Sequence, residues 1–367
     1  MNKGFSIYLD LVRFLAACLV YLYHSNQRLL VEPILPASNY GHSSVIVFFV
    51  LSGYVIAYIT DTKENTWTSY SASRLSRVYS VAVPAVALTL ILDTLGRALY
   101  PALYSGYPGD QLMLRSVASL LFANEVWFVS ITSLSNVPYW SICYEIWYYA
   151  AFGLLTFLPR KAAWVAVVLL AAVLGPKVIL LAPIWGLGVL LYRWHAPKNW
   201  SVGLSWTLLI ATFVGIALFH YFGVSGTITD WLKDLMGPDR HKEFTFSKFF
   251  PADYLLGILV FINFAAMRNV AFRIEKLFLT IEKPVKTLAS YTFTLYLLHQ
   301  PLFLFWASVV RGDPKGYGYW IATTMLVAAS VGVIGYYTEN KRHLIRKRLE
   351  QELCRFASPG RAGRGAV

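Results

Sequence analysis

Three ionisable residues sit inside an apolar run near the start of the chain: Asp10, Arg13 and His24 in DLVRFLAACLVYLYH. Arg13 and His24 are eleven residues apart, within about 20° of three full helical turns, and Asp10 lies one turn before Arg13. On a helix all three share one face, spread over about 21 Å of axis. Charges in hydrocarbon are costly, so such residues mark a pathway or a reaction site by default. The alternative is a buried ion pair with a satisfied histidine. A second group follows in PYWSICYEIWYY, where Ser141, Glu145 and Tyr149 share a face at i, i+4 and i+8. Glu145 falls about 10 Å into its span, where a carboxyl serves either chemistry or a structural hydrogen bond. SYTFTLYLLHQP puts Tyr296 and His299 one turn apart, and FFVLSGY puts Ser52-Gly53 on the second apolar run. Small residues in a span commonly serve helix packing. In RLSR, Arg74 and Arg77 are one turn apart and suited to gripping a phosphate, although the positive-inside rule also puts arginines at an inner helix end.

The elements that must hold these groups are membrane spans. The 367 residues are 57% hydrophobic and 14% charged, with mean hydropathy +0.53. Soluble domains carry about a quarter charged residues. The first 30 residues lack a short h-region with a small-residue cleavage site, and read as a retained span. The net charge of +13 is explained by positive-inside loops without invoking nucleic acid. Cys18, Cys143 and Cys354 form no disulfide framework and no metal spacing, so no metal is expected.

Apolar runs fall near 6–28, 43–60, 77–97, 138–158, 201–222, 252–268, 289–309 and 318–338. Two shorter runs in 161–194, broken at Gly175-Pro176, read as a helical hairpin. The expected fold is an all-α polytopic membrane protein of about ten transmembrane helices. A run near 111–124 is short enough to be a re-entrant or interfacial helix. With the N-terminus inside, the basic residues collect on the inner segments 1–5, 61–76, 159–160, 195–200, 269–288 and the tail. The tail alone holds Lys341, Arg342, Arg346, Lys347, Arg348, Arg355, Arg361 and Arg364. If 111–124 crossed the membrane, that tail would face outward. Residues 1–340 thus read as the transmembrane domain and 341–367 as a basic cytoplasmic tail, disordered past Ser358. The spacing of Ile274, Leu277, Phe278, Ile281, Val285 and Leu288 predicts one amphipathic helix over 270–288.

Taken in order, Leu9-Asp10 with Arg13-x10-His24, FFVLSGY, RLSR, WSICYE and YLLHQP resemble the integral membrane acyltransferase 3 family over about residues 5–340. The resemblance implies O-acyl, usually O-acetyl, transfer from acyl-CoA to a saccharide or lipid-linked glycan. Exopolysaccharide, O-antigen, peptidoglycan and Nod-factor sugars are such acceptors, and some relatives modify macrolides. It implies that His24 and Arg13 are essential, that Arg74 and Arg77 serve the CoA, and that Glu145 lines the site. Trp140, which opens WSICYE, joins Ser52, Ser141, Tyr149, Tyr296 and His299 as pocket residues. The family's Gly-Val-Asp before FF is replaced here by Val45-Ile46-Val47, and the proline after the arginine motif is delayed to Pro84.

The expected activity is that of a cell inner membrane acetyltransferase with both termini cytoplasmic. Acetyl-CoA would be a co-substrate, with no permanently bound cofactor. His24 is the expected general base on the acceptor hydroxyl, with Arg13 on the thioester oxygen or the pantetheine, and Asp10 beside it. Glu145, at a depth His24 could share, orients the imidazole or is itself the base. The competing reading is a transporter or glycan flippase that uses the same buried charges. The expected partners are acyl-CoA, the glycan acceptor and the bilayer, with no nucleic acid; a homo-oligomer is left open.

Overall fold

A backbone in hydrocarbon must satisfy every N–H and C=O internally, and helices do this within one segment. The structure, a computed structural model, describes residues 1–29 and 40–357 and is built from helices; among the described residues the only β pairing is an isolated bridge, Ser133 to Asn136. The helices are α1 Lys3–Leu29, α2 Gly41–Thr62, α3 Trp67–Leu99, α4 Leu112–Leu120, α5 Trp140–Phe157, α6 Arg160–Leu174, α7 Pro176–Arg193 and α8 Val202–Tyr221. They continue with α9 Val224–Met236, α10 Pro238–Glu243, α11 Phe250–Val270, α12 Glu275–Thr280, α13 Glu282–Ala289, α14 Thr292–Val310, α15 Tyr317–Gly335 and α16 Arg342–Ala357. The protein is an all-α polytopic membrane protein.

Among the described residues, eight segments are long and apolar enough to cross a membrane. They contain α1, α2, α3, α7, α8, α11, α14 and α15. The two further crossings expected from sequence, α5 and α6, exist as helices but fall outside that set. α6 is only 15 residues long, and α5 carries the polar and aromatic residues of the site. α4 has nine residues, about 14 Å, too short to span. The hairpin breaks at Gly175, whose φ of +82° suits glycine and whose missing Cβ leaves room for Trp127.

Two expectations are corrected. The third span does not begin at residue 77: α3 starts ten residues earlier, so RLSR lies on the helix itself. Segment 270–288 is not one amphipathic helix. It breaks into α12 and α13, with Phe278 and Val285 buried but Leu277 and Leu288 exposed. The basic tail begins as α16, which packs on α3. Its end past Ser358, read from sequence as disordered, lies outside the described residues.

Two close approaches fix the bundle. α2 crosses α7 where Gly53 and Gly188 let the backbones touch. A Cβ on Gly53 would lie 2.0 Å from the Trp185 carbonyl oxygen, and one on Gly188 would lie 2.0 Å from that of Val50. In α14, Pro301 has no N–H for the carbonyl of Leu297, four residues back. Asn136, from the segment before α5, donates to that oxygen at 2.7 Å. The chain leading into α5 is thereby pinned to the helix carrying Tyr296 and His299.

Candidate active site

α1 carries its polar residues along one face, and that face meets two cavities in succession. The first, of about 310 Å³, is lined by Asp10 and Arg13 of α1, Ser52 of α2, Arg74 and Arg77 of α3, and Ser141, Glu145 and Tyr149 of α5. Lys286, Glu339 and Arg342 complete its polar wall. Five cations thus face three carboxylates, so the cavity favours an anion. The second, of about 420 Å³, holds His24, His42, Tyr23, Trp140, Lys248 and Gln300. Val45 and Tyr296 line both.

In the basic cavity, the Arg13 Nη1 donates to Asp10 Oδ1 at 3.1 Å across one helical turn. The Arg74 Nη2 donates to Glu64 Oε2 at 2.6 Å, and Ser73 donates to the other oxygen at 2.6 Å. Arg77 enters no ion pair among the described residues, and its guanidinium stands 6.0 Å from the Phe293 ring. The one-turn spacing read from RLSR therefore does bring both arginines to one cavity, but in different states. Arg74 is buried and paired, and Arg77 is the available charge. Glu145 Oε1 accepts from Ser52 Oγ and from the Tyr149 hydroxyl, both at 2.5 Å. Trp185 Nε1 donates to the same Ser52 Oγ at 3.2 Å. Ser52 thus has a polar role that its neighbour Gly53, which serves packing, does not.

His24 stands in the other cavity. Its ring centroid is 5.0 Å from Tyr23 and 5.2 Å from His299. His299 is buried behind it and lines neither cavity. Its Nδ1 lies 2.8 Å from the Tyr296 carbonyl and 3.1 Å from that of Leu295. Tyr296 sits between the cavities, its hydroxyl 2.6 Å from Ser141 Oγ. Trp140 stacks on Phe246 with centroids 4.5 Å apart and 2° between the planes. His24 and Glu145 line different cavities. Arg13 lines the basic cavity with Glu145, not the cavity of His24.

Sequence reasoning missed five lining residues that are charged or histidine, His42, Lys248, Lys286, Glu339 and Arg342, and the neutral Gln300. Lys286 was assigned to a surface helix, and Glu339 and Arg342 lie just past the last apolar run. No local periodicity links Asp10 to residues 276 to 332 positions further on. It also missed Asp253, whose carboxylate sits 3.0 Å from His42 Nε2. The rule that singled out Glu145, a carboxylate inside an apolar run, applies equally to Asp253.

Fold and site define a polytopic helical membrane protein with a cationic cavity backed by a histidine-bearing one. A family model described as an acyltransferase domain, that of the acyltransferase 3 family, matches residues 6–339. The chain belongs to this family and is a membrane acyltransferase. No curated protein and no solved structure matches it.

Proposed function

We propose that the protein transfers an acyl group, acetyl in the first instance, from acyl-CoA to a hydroxyl of a saccharide or lipid-linked glycan. One observation carries this reading. A cavity rich in cations and a cavity with histidines and stacked aromatics meet at Val45 and Tyr296. The first suits the phosphates of CoA and the second a neutral, ring-shaped acceptor. The arginine-lined side is then cytosolic, where acyl-CoA is found. This agrees with cytoplasmic termini in a bacterial inner membrane and with the basic inner segments.

In this reading Arg77, Arg13, Lys286 and Arg342 hold the donor's phosphates, and Arg74 shapes the cavity through Glu64. The thioester reaches past Val45 and Tyr296 toward His24. His24 takes the proton of the acceptor hydroxyl as its oxygen forms the new bond to the acyl carbon. The tetrahedral intermediate then collapses, the carbon–sulfur bond breaks, and His24 returns the proton to the leaving sulfur, so CoA departs as the thiol and the imidazole is neutral again. Ser52, Glu145 and Tyr149 form the wall along which the acyl chain passes.

The test uses purified protein. Acetyl-CoA should raise the melting temperature, as a ligand that binds only the folded state must. Labelled acetyl groups should pass to a deacylated glycan extract. A flippase using the same charges would bind glycan without consuming acetyl-CoA.

A further inference from the structure

The first turns of α2 and α11 end at the same cavity as His24. There the His42 Nε2 is 3.0 Å from both Oδ1 and Oδ2 of Asp253. A carboxylate only accepts, so Nε2 carries the proton of this bond and Nδ1 is the remaining edge. That edge has no hydrogen bond among the described residues. Whether it accepts, in the neutral ring, or donates, in the charged one, it can bond a hydroxyl.

A latch between α2 and α11 would need no opening to the cavity. Here Asp253 is almost fully enclosed, at 3% side-chain exposure, while His42 keeps 25% and lines the cavity wall. The ring is also oriented. It lies 13° from the plane of Trp140, and Phe249 packs 4.8 Å from it. Gly41, just before it, has no Cβ, and one built there would fall 2.4 Å from the Tyr23 ring, beside His24. Glycine at 41 is therefore what lets the α2 start close on the α1 end. A second group asks for a ligand. Gln300 lines the same cavity and is buried, and its Oε1 has no partner among the described residues, while its Nε2 donates to Tyr107.

We propose that His42, oriented by Asp253, is an acceptor-binding residue that hydrogen-bonds a saccharide hydroxyl beside the one His24 activates. Gln300 Oε1 receives a further hydroxyl. Asp253 is a positioning residue: it sets which nitrogen of His42 faces the cavity and never meets the acceptor. The stacked Trp140–Phe246 pair then offers a flat face to the sugar ring. This rests on the acyl-transfer reading given above.

The experiment measures initial rates with the purified full-length protein, labelled acetyl-CoA, and deacylated surface glycan extracted from a deletion strain. His42→Gln should raise the apparent KM for glycan about tenfold or more. The KM for acetyl-CoA should stay within twofold, and acetyl-CoA should raise Tm as it does in the wild type. Asp253→Asn, which keeps the shape of Asp253 and removes the acceptor charge, should give a smaller rise in glycan KM of the same selectivity. Variants with unchanged glycan KM overturn the proposal. So do variants that lose donor affinity in parallel, since those report a structural latch. A wild-type protein that labels no glycan overturns the acyl-transfer reading itself, and the role of His42 with it.

Discussion

Arg13 and His24 stand on one face of one helix and open into different cavities. Eleven residues of α1 separate them, about 16 Å along the axis. The helix thus acts as a ruler between a cation-lined compartment and a histidine-bearing one. Val45 and Tyr296 form the partition between them.

Arg77 enters no ion pair among the described residues, whereas Arg74 is paired with Glu64 at 2.6 Å. Arg77→Ala should weaken acetyl-CoA binding about tenfold, or roughly 1.4 kcal/mol, with little change in folding. Arg74→Ala should instead act mainly on stability, because it breaks a buried pair and leaves Glu64 only Ser73 and the more distant Arg346, 3.9 Å away, at a cost below the about 3–5 kcal/mol of a fully uncompensated charge. Titration calorimetry with acetyl-CoA, together with thermal melts, separates the two.

Val45 lines both cavities and is 5% exposed. Val45→Phe should fill the junction. Acetyl-CoA should still raise the melting temperature, while acyl transfer falls by at least tenfold. The overpacking should cost about 1–3 kcal/mol. Equal transfer by the variant and the wild type would mean that the acyl group does not cross between the cavities at this point.

Asn136 supplies the hydrogen bond that Pro301 denies to the Leu297 carbonyl. Asn136→Ala leaves that oxygen without the donor, at about 1–3 kcal/mol. The variant should melt at lower temperature. Because the same bond sets the approach of α5 to α14, transfer should fall more than acetyl-CoA binding. Thermal melts and labelled-acetyl assays on one preparation check both.

Much of the frame is legible in the sequence because hydrocarbon enforces it. Long apolar runs must be helices, and the face shared by Asp10, Arg13 and His24 follows from 100° per residue. The hairpin break at Gly175-Pro176 was visible for the same local reason. What could not be read is which face meets which. Glu145 looked deep enough to meet His24, yet beyond Tyr149, its own neighbour one turn on, it meets Ser52 of α2, 93 residues away. Glu339 reaches the basic cavity from a segment past the last apolar run, where its Oε1 accepts from the Thr294 N–H at 2.8 Å. His42 and Asp253 lie 211 residues apart. Such pairings are products of tertiary packing, and no periodicity in either segment announces them.

The central claim is that His24 performs the chemistry at a site separate from the donor cavity. The most direct measurement compares acyl transfer and donor binding in His24→Ala. Loss of a general base should lower transfer about 10²–10⁴-fold. The rise in melting temperature with acetyl-CoA should be retained, since the cations proposed to hold the donor line the other cavity. A His24→Ala protein that transfers acetyl at the wild-type rate would contradict the account, as would one that has lost acetyl-CoA binding along with activity.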